Sequence, residues 1–238
     1  MSVQLYVIGP TSPPSRPNTA LPETQAMKLY TMSGTCALAP NIAIAWADAL
    51  IEIVNLERGA HKGEDYLAIN PRGQVPALVF DDGDVLTEAT AILGYIRATH
   101  VGDAAYARDK PAGRKEAEAL SFLSSEVHAA FKGHFRPSLF ADTPQTEKTV
   151  RHMTYDRLNE YFLRLNDWIA ESDGPWLLGA RSHADAYLYI IMRWIERTPL
   201  QLENYPNLEA HQHKMEQDAG VLLALARQGM APAQQPAV

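Results

Sequence analysis

The sequence predicts an α/β N-terminal domain followed by an all-α helical C-terminal domain. Three observations carry the prediction. Short apolar runs alternate with helical ones from residue 27 to about residue 100, and strand signals fade after that point. Between them, Asp82-Gly83-Asp84 separates two short apolar runs, Ala77 to Asp81 and Val85 to Thr87. Alternation of this kind marks a sheet covered by helices, and Asp-Gly between apolar runs is a strong hairpin signal.

The elements follow in order. Residues 1–26 read as a proline-rich extension: Gly9 to Ala26 holds Pro10, Pro13, Pro14, Pro17 and Pro22 with little apolar material. Such a stretch continues neither a helix nor a central strand. Lys28 to Met32 and Ile51 to Asn55 read as strands joined by a helix from about Leu38 to Ala49. That βαβ unit implies a parallel pair. After a further short helix, the two runs around Asp-Gly should pair antiparallel, and a helix from Glu88 to about Thr99 closes the unit. The order β-α-β-(α)-β-β-α over residues 27–100 is that of a thioredoxin-like mixed sheet. Residues 101–113 are turn-rich and read as a linker. Helices are expected over Arg114 to Phe135, Pro144 to Glu171, Ser182 to Arg197 and Asn207 to Gln228, filling residues 114–230, with a tail at 231–238.

Composition excludes several classes. With 21 Lys plus Arg against 28 Asp plus Glu, the net charge is -7 and no basic run is present. Nucleic acid and anionic membrane surfaces are therefore not expected partners. No apolar run approaches the ~18–20 residues of a membrane span. The single cysteine, Cys36, makes no internal disulfide, which points to a reducing, cytoplasmic setting. No metal is expected.

Four motifs carry chemistry. Cys36 lies between the first strand and the first helix, where a helix N-terminus stabilises thiolate; a small buried core residue is the equally weighted alternative. Pro76, in Gly73-Gln74-Val75-Pro76-Ala77, starts a strand. It is either an ordinary loop proline or a cis turn that frees the backbone of Val75 for an extended peptide. Thr87-Glu88-Ala89 starts a helix. Its free N–H groups suit a carboxylate and the Glu88 side chain an ammonium, so one α-amino acid head would satisfy both; simple capping has comparable weight. Ser121, Ser125, His128 and Lys132 recur at helical spacing as a polar face, either a cleft wall or a solvated surface. Ser182-His183-Ala184-Asp185 reads as a capping box before a buried helix, with His183 incidental to it.

Taken together these residues resemble the cytosolic glutathione transferases, most closely the bacterial beta class. Met27-Lys28-Leu29-Tyr30 with Cys36 nine residues after Met27 matches the opening of that class. Leu67-Ala68-Ile69-Asn70-Pro71, Gly73-Gln74-Val75-Pro76, Leu86-Thr87-Glu88, Ser125-Glu126-Val127-His128 and Ala184-Asp185-Ala186-Tyr187-Leu188 follow in family order. The resemblance runs to about Gln228 and implies a glutathione-transferase-like architecture with glutathione as co-substrate. It also implies roles. Cys36 would face the glutathione sulfur, with His128 reaching the cleft from the second domain. Val75, before a cis Pro76, would pair with the cysteinyl backbone, and Glu88 with the amide of Ala89 would take the γ-glutamyl head. Ser121 and Ser125 share the face of His128, and Phe131, His134 and Phe135 would line the acceptor side. The sequence departs from the pattern in places: Thr31 replaces a tyrosine, Ala89 a serine or glycine, and Ser121 an asparagine. The lysine that clamps the glycyl carboxylate has no clear match, so Arg58 or Lys62 would substitute. The activity implied is conjugation of glutathione to a small electrophile by a cytoplasmic homodimer. Cys36 would also permit thiol exchange, and the alternative of another kind is a non-catalytic ligand- or partner-binding protein on the same scaffold.

Overall fold

Four short strands form the mixed sheet. The computed structural model describes residues 27–101, 106–107 and 110–233, so the proline-rich segment 1–26, part of the linker and the end of the tail lie outside the described residues. β1 (Lys28–Thr31) runs parallel to β2 (Glu52–Asn55) and antiparallel to β3 (Ala77–Val79), which pairs antiparallel with β4 (Val85–Thr87). The order across the sheet is β2-β1-β3-β4. A parallel pair needs a crossover, and α1 (Leu38–Trp46) supplies it. The β3–β4 hairpin needs only a tight turn, in which Gly83 takes φ 89°. A one-turn 3-10 segment (Ala60–Lys62) and α2 (Glu64–Ile69) lead from β2 toward β3, and α3 (Ala89–Thr99) follows β4.

The rest is helical: α4 (Pro111–Phe122), α5 (Lys132–Phe135), α6 (Pro144–Glu171), α7 (His183–Arg193), α8 (Pro206–Glu216) and α9 (Ala219–Arg227). Two expected helices are broken. After α4 comes a wide π-type turn, Leu123–His128, and α5 has only four residues. Gly133 is pressed against α6 so closely that a β-carbon there would lie 2.0 Å from Thr154 Oγ1. The helix expected over Asn207 to Gln228 divides because Asp218 caps α9, its Oδ1 accepting from the N–H groups of Gly220 at 2.8 Å and Val221 at 3.1 Å. Side-chain capping satisfies donors that a continuous helix would have used internally.

Helix α7 is the centre of the molecule, with His183 through Met192 all buried. It packs on α1, which in turn contacts α3 and α9. The Asp185 carboxylate organises its start. Oδ2 accepts from Ser182 N at 2.7 Å and Ser182 Oγ at 2.8 Å, while Oδ1 accepts from Leu177 N at 2.8 Å and His211 Nε2 at 2.9 Å. The capping box is therefore realised, with two further donors added.

His183 is not incidental to the fold, contrary to the sequence reading. It is buried, its Nδ1–H donates to Leu93 O at 3.0 Å, and its backbone N–H donates to Glu116 Oε1 at 2.7 Å. Glu116 also holds Arg97 at 2.6 and 3.1 Å. One residue thus ties α7 to α3 and α4. Burial, and then the charge of Arg97, hold its ring down to a pKa of about 3.

Ser182→Ala should cost roughly 1 kcal/mol, the scale of a lost cap. Asp185→Ala strands four buried donors and should cost about 3–5 kcal/mol. Urea unfolding of both variants checks the ranking, and a smaller loss for Asp185→Ala would contradict this account. A second expectation concerns acid. A histidine whose folded pKa lies below its unfolded value of about 6.5 stabilises fully above that value and loses the contribution as pH falls toward the folded pKa. Stability should therefore decline from about pH 6.5 toward pH 3, and His183→Asn, which keeps a donor for Leu93 O but does not titrate, should flatten that decline.

Candidate active site

The site begins where β1 ends. Residues 32–36 turn back into α1, with Thr35 N and Thr35 Oγ1 both donating to Met32 O, at 3.2 and 2.7 Å. Gly34 takes φ 74°, a conformation that glycine adopts without strain. The turn aims the half-buried Cys36 at the β3 entry loop, and its Sγ–H donates to Val75 O at 3.9 Å. The Val75–Pro76 peptide is cis. Thiol and strand-entry backbone are thus brought together.

The electrostatics of Cys36 are a correction. The helix start was expected to favour thiolate; instead burial, and then the charge of Glu88, push the thiol up to about 12. The backbone N–H of Cys36 opposes them without prevailing. A helix terminus contributes about 0.3–1 kcal/mol in exposed settings, whereas burial moves a pKa by several units. Cys36 is a neutral thiol and hydrogen-bond donor.

Glu88 stands at the start of α3 with φ 70°, unusual for a residue with a side chain. Neither it nor Thr87 caps the helix by its side chain. Positive φ at a non-glycine residue costs about 1–3 kcal/mol and concentrates at functional sites. The Glu88 carboxylate instead faces Arg72, whose Nη2 lies 3.0 Å from Oε1 and also donates to Thr87 Oγ1 at 2.9 Å. Arg72 escaped the sequence reading, since it follows Pro71 in a loop with no motif of its own. Ala89 is buried behind Glu88. Lys62 donates to Gly73 O at 2.9 Å, next to the Val75 loop, while Arg58 lines a cavity of 280 Å³ with Met32, Ser33, Asn55, Leu56 and Glu57.

His128 arrives from the other half on the π-type turn, a device often found at functional positions. Its Nδ1 lies 2.7 Å from the hydroxyl of Tyr187, and its ring centre 4.8 Å from that of Trp194. Burial, and then Lys132, lower its pKa to about 4, so the ring is neutral near pH 7. Tyr187 is buried, and burial, followed by the nearness of Cys36 and Glu88, pushes its hydroxyl up. Tyr187 therefore lies between His128 and the N-terminal part of the site. Trp194 completes the link by donating from Nε1 to Gly34 O at 3.0 Å. The sequence reading quoted Tyr187 only as part of a motif and did not reach Trp194.

The remaining candidates divide. Ser121 and Ser125 are exposed, and Ser125 Oγ donates to Ser121 O at 2.9 Å; neither hydroxyl bonds to the N-terminal half among the described residues. Phe131 is fully buried among Phe135, Phe162 and Trp194, so it lines no open surface, contrary to the expectation that it lines the acceptor side. Phe135 is 43% exposed and does present a surface. His134 is half-buried, with Nδ1 3.0 Å from Tyr155 Oη. Thr31, where the beta pattern has tyrosine, is fully buried and accepts from Gln228 Nε2, while Ser33 Oγ donates to Gln228 O. The end of α9 thus closes over the thiol loop.

A family model described as the glutathione S-transferase N-terminal domain matches residues 25–98, and one for the C-terminal domain matches residues 130–222. The chain belongs to the glutathione S-transferase family. The transferase is 32% identical over 209 residues to glutathione S-transferase GstA of Escherichia coli O157:H7, covering 86% of this chain and 100% of that one. Among solved structures, it is similar to a glutathione S-transferase from Xylella fastidiosa, with TM-score 0.79 and 32% identity over 86% of this chain and 100% of the other. A sphingomonad glutathione S-transferase complexed with glutathione matches with TM-score 0.74 and 33% identity, again over 86% and 100%. Among the described residues, no helix of the transferase is long and apolar enough to cross a membrane.

A neutral Cys36 has a kinetic signature. Without glutathione, its alkylation by iodoacetamide at pH 7.5 should be slower than that of an unstructured cysteine peptide, whose pKa is about 8.5. Glu88→Gln should speed it, because the charge of Glu88 disfavours thiolate. Alkylation as fast as the peptide's would show that the thiol is not held in this way.

Proposed function

We propose that this transferase binds glutathione along the Val75 backbone and conjugates its sulfur to a small electrophile held between the two domains. The observation that carries the reading is the convergence of Cys36 Sγ, Val75 O and the uncapped, positive-φ start of α3 at Glu88. An extended γ-glutamyl peptide presents the groups those features take: an α-amino acid head for Glu88 and the Ala89 N–H, and a backbone for Val75. Lys62, already at Gly73 O, is better placed than Arg58 for the glycyl carboxylate.

In the reaction, the glutathione S–H bond breaks, sulfur bonds to the electrophilic carbon, and the proton leaves with the displaced group or enters solvent. Stabilising the developing thiolate requires donors that stay protonated, because a preorganised donor aimed at the charge costs no reorganisation. Cys36 near 12 meets that requirement as a neutral thiol, and His128 near 4 meets it as a neutral ring with one N–H. The same protonated Cys36 is a poor nucleophile toward disulfides, so conjugation is favoured over thiol exchange as the main activity. Ser121 and Ser125 contribute from the rim of the second domain. The family resemblance extends the reading to a cytoplasmic homodimer in detoxification, and the charge of -7 supports the exclusion of nucleic acid.

Glu88→Gln tests the reading. Loss of a charge-assisted hydrogen bond, about 1.5–3 kcal/mol, should raise the apparent KM for glutathione on the order of tenfold or more, with a smaller effect on kcat. Steady-state rates with 1-chloro-2,4-dinitrobenzene measure it. Glutathione binding without turnover of any electrophile would establish the non-catalytic alternative, and an unchanged KM would remove Glu88 from the site.

A further inference from the structure

The second half meets the thiol loop through the segment after α7. Trp194 is fixed to Gly34 O, and Arg197 follows in a one-turn 3-10 segment, its N–H donating to Trp194 O at 3.1 Å. The guanidinium of Arg197 lies against the same loop: a β-carbon built on Gly34 would come 3.4 Å from Nη2. Gly34, two residues before Cys36, therefore sits beneath both the indole and the guanidinium.

Arg197 is exposed and has no carboxylate within ion-pair distance among the described residues. Arg97 has Glu116, Arg72 has Glu88, Arg151 has Glu147 and Arg181 has Asp218, whereas Arg58 and Arg136, like Arg197, have none among the described residues. The charge of Arg197 acts on His134, and the neighbouring Phe135 packs its ring edge-on to Trp194 at 5.8 Å and offers an apolar surface. An apolar platform with an unpaired guanidinium at its edge suits a ligand with an aromatic body and a negatively charged end.

The surroundings have the same sign. Three histidines, His61, His128 and His134, come from three elements, and burial lowers the pKa of each. The charges that lower them further are Lys62, Arg136 and Arg58 for His61, Lys132 for His128, and Arg151 and Arg197 for His134. No carboxylate opposes them at any of the three. In a chain of net charge -7, the charges acting on these rings are cationic, while the Glu88 carboxylate acts on Cys36 and Tyr187. A local excess of one sign of charge concentrates ligands of the other.

We propose that the acceptor subsite is built for an anionic electrophile, with Arg197 receiving its carboxylate while the aromatic body lies on Phe135. The proposal rests on the conjugation site described above and names the class of its second substrate. Arg197 is then a specificity-determining residue: it touches the acceptor's charged end and not the reacting carbon.

The test is a pair of conjugates, S-(4-carboxy-2-nitrophenyl)glutathione and the corresponding carboxamide, titrated calorimetrically against the full chain. The carboxylate conjugate should bind about tenfold tighter, the scale of one charge-assisted contact at an exposed site, and the ratio should shrink with salt. In Arg197→Gln the ratio should fall to about one. Equal affinities in the parent, a ratio that persists in Arg197→Gln, or no binding of either conjugate while glutathione binds would each overturn the proposal. Failure of glutathione itself to bind, seen in its own titration, would instead overturn the conjugation reading beneath it.

Discussion

The carboxylate of Asp185 is the constraint from which the site follows. Two oxygens at the buried start of α7 accept from Ser182, Leu177 and His211, so a charged group lies in the centre of the molecule with its acceptor capacity used. A buried carboxylate without such partners would cost several kcal/mol. With them, it sets where α7 begins, and hence where each later residue of that helix points. Tyr187 is two residues on and holds His128; Trp194 ends the helix and holds Gly34. The cap is a folding device that also sets the geometry around His128 and Gly34.

Much of the fold is legible in the sequence because it is set by local pattern. Asp82-Gly83 encodes a turn, the βαβ run encodes a parallel pair, and the apolar run after Ser182 encodes a central helix. The helix breaks were not legible for a different reason. Phe122 to Phe135 has continuous helical periodicity, and no local signal in it marks the π-type turn at Leu123–His128. Asp218 carries a capping signal, but one matched by many surface aspartates until Trp46 and Arg181 are seen to hold its other valences.

The site divides along the same line. Cys36, Val75, Pro76 and Glu88 lie in motifs whose spacing identifies them, whereas Arg72, Tyr187, Trp194 and Gln228 act through contacts across long stretches of chain. The protonation of Cys36 was misjudged because two opposing effects were compared without magnitudes. Position at a helix start is visible in sequence, but the depth of burial and the approach of Glu88 are tertiary, and they dominate. A thiol site is therefore readable as a location before it is readable as a chemical state.

The closure of α9 over the thiol loop has a temporal side. Thr31 and Gln228 are 197 residues apart, as nearly are Ser33 and Gln228, and Gly34 N with Met230 Sδ. A chain emerges from the ribosome N-terminal end first, and contacts of such separation form late. The sheet and the cysteine exist as polypeptide long before the residues that immobilise the turn between them. During translation this protein carries its thiol on an unfinished loop, and the pocket matures only when nearly the whole chain has been made.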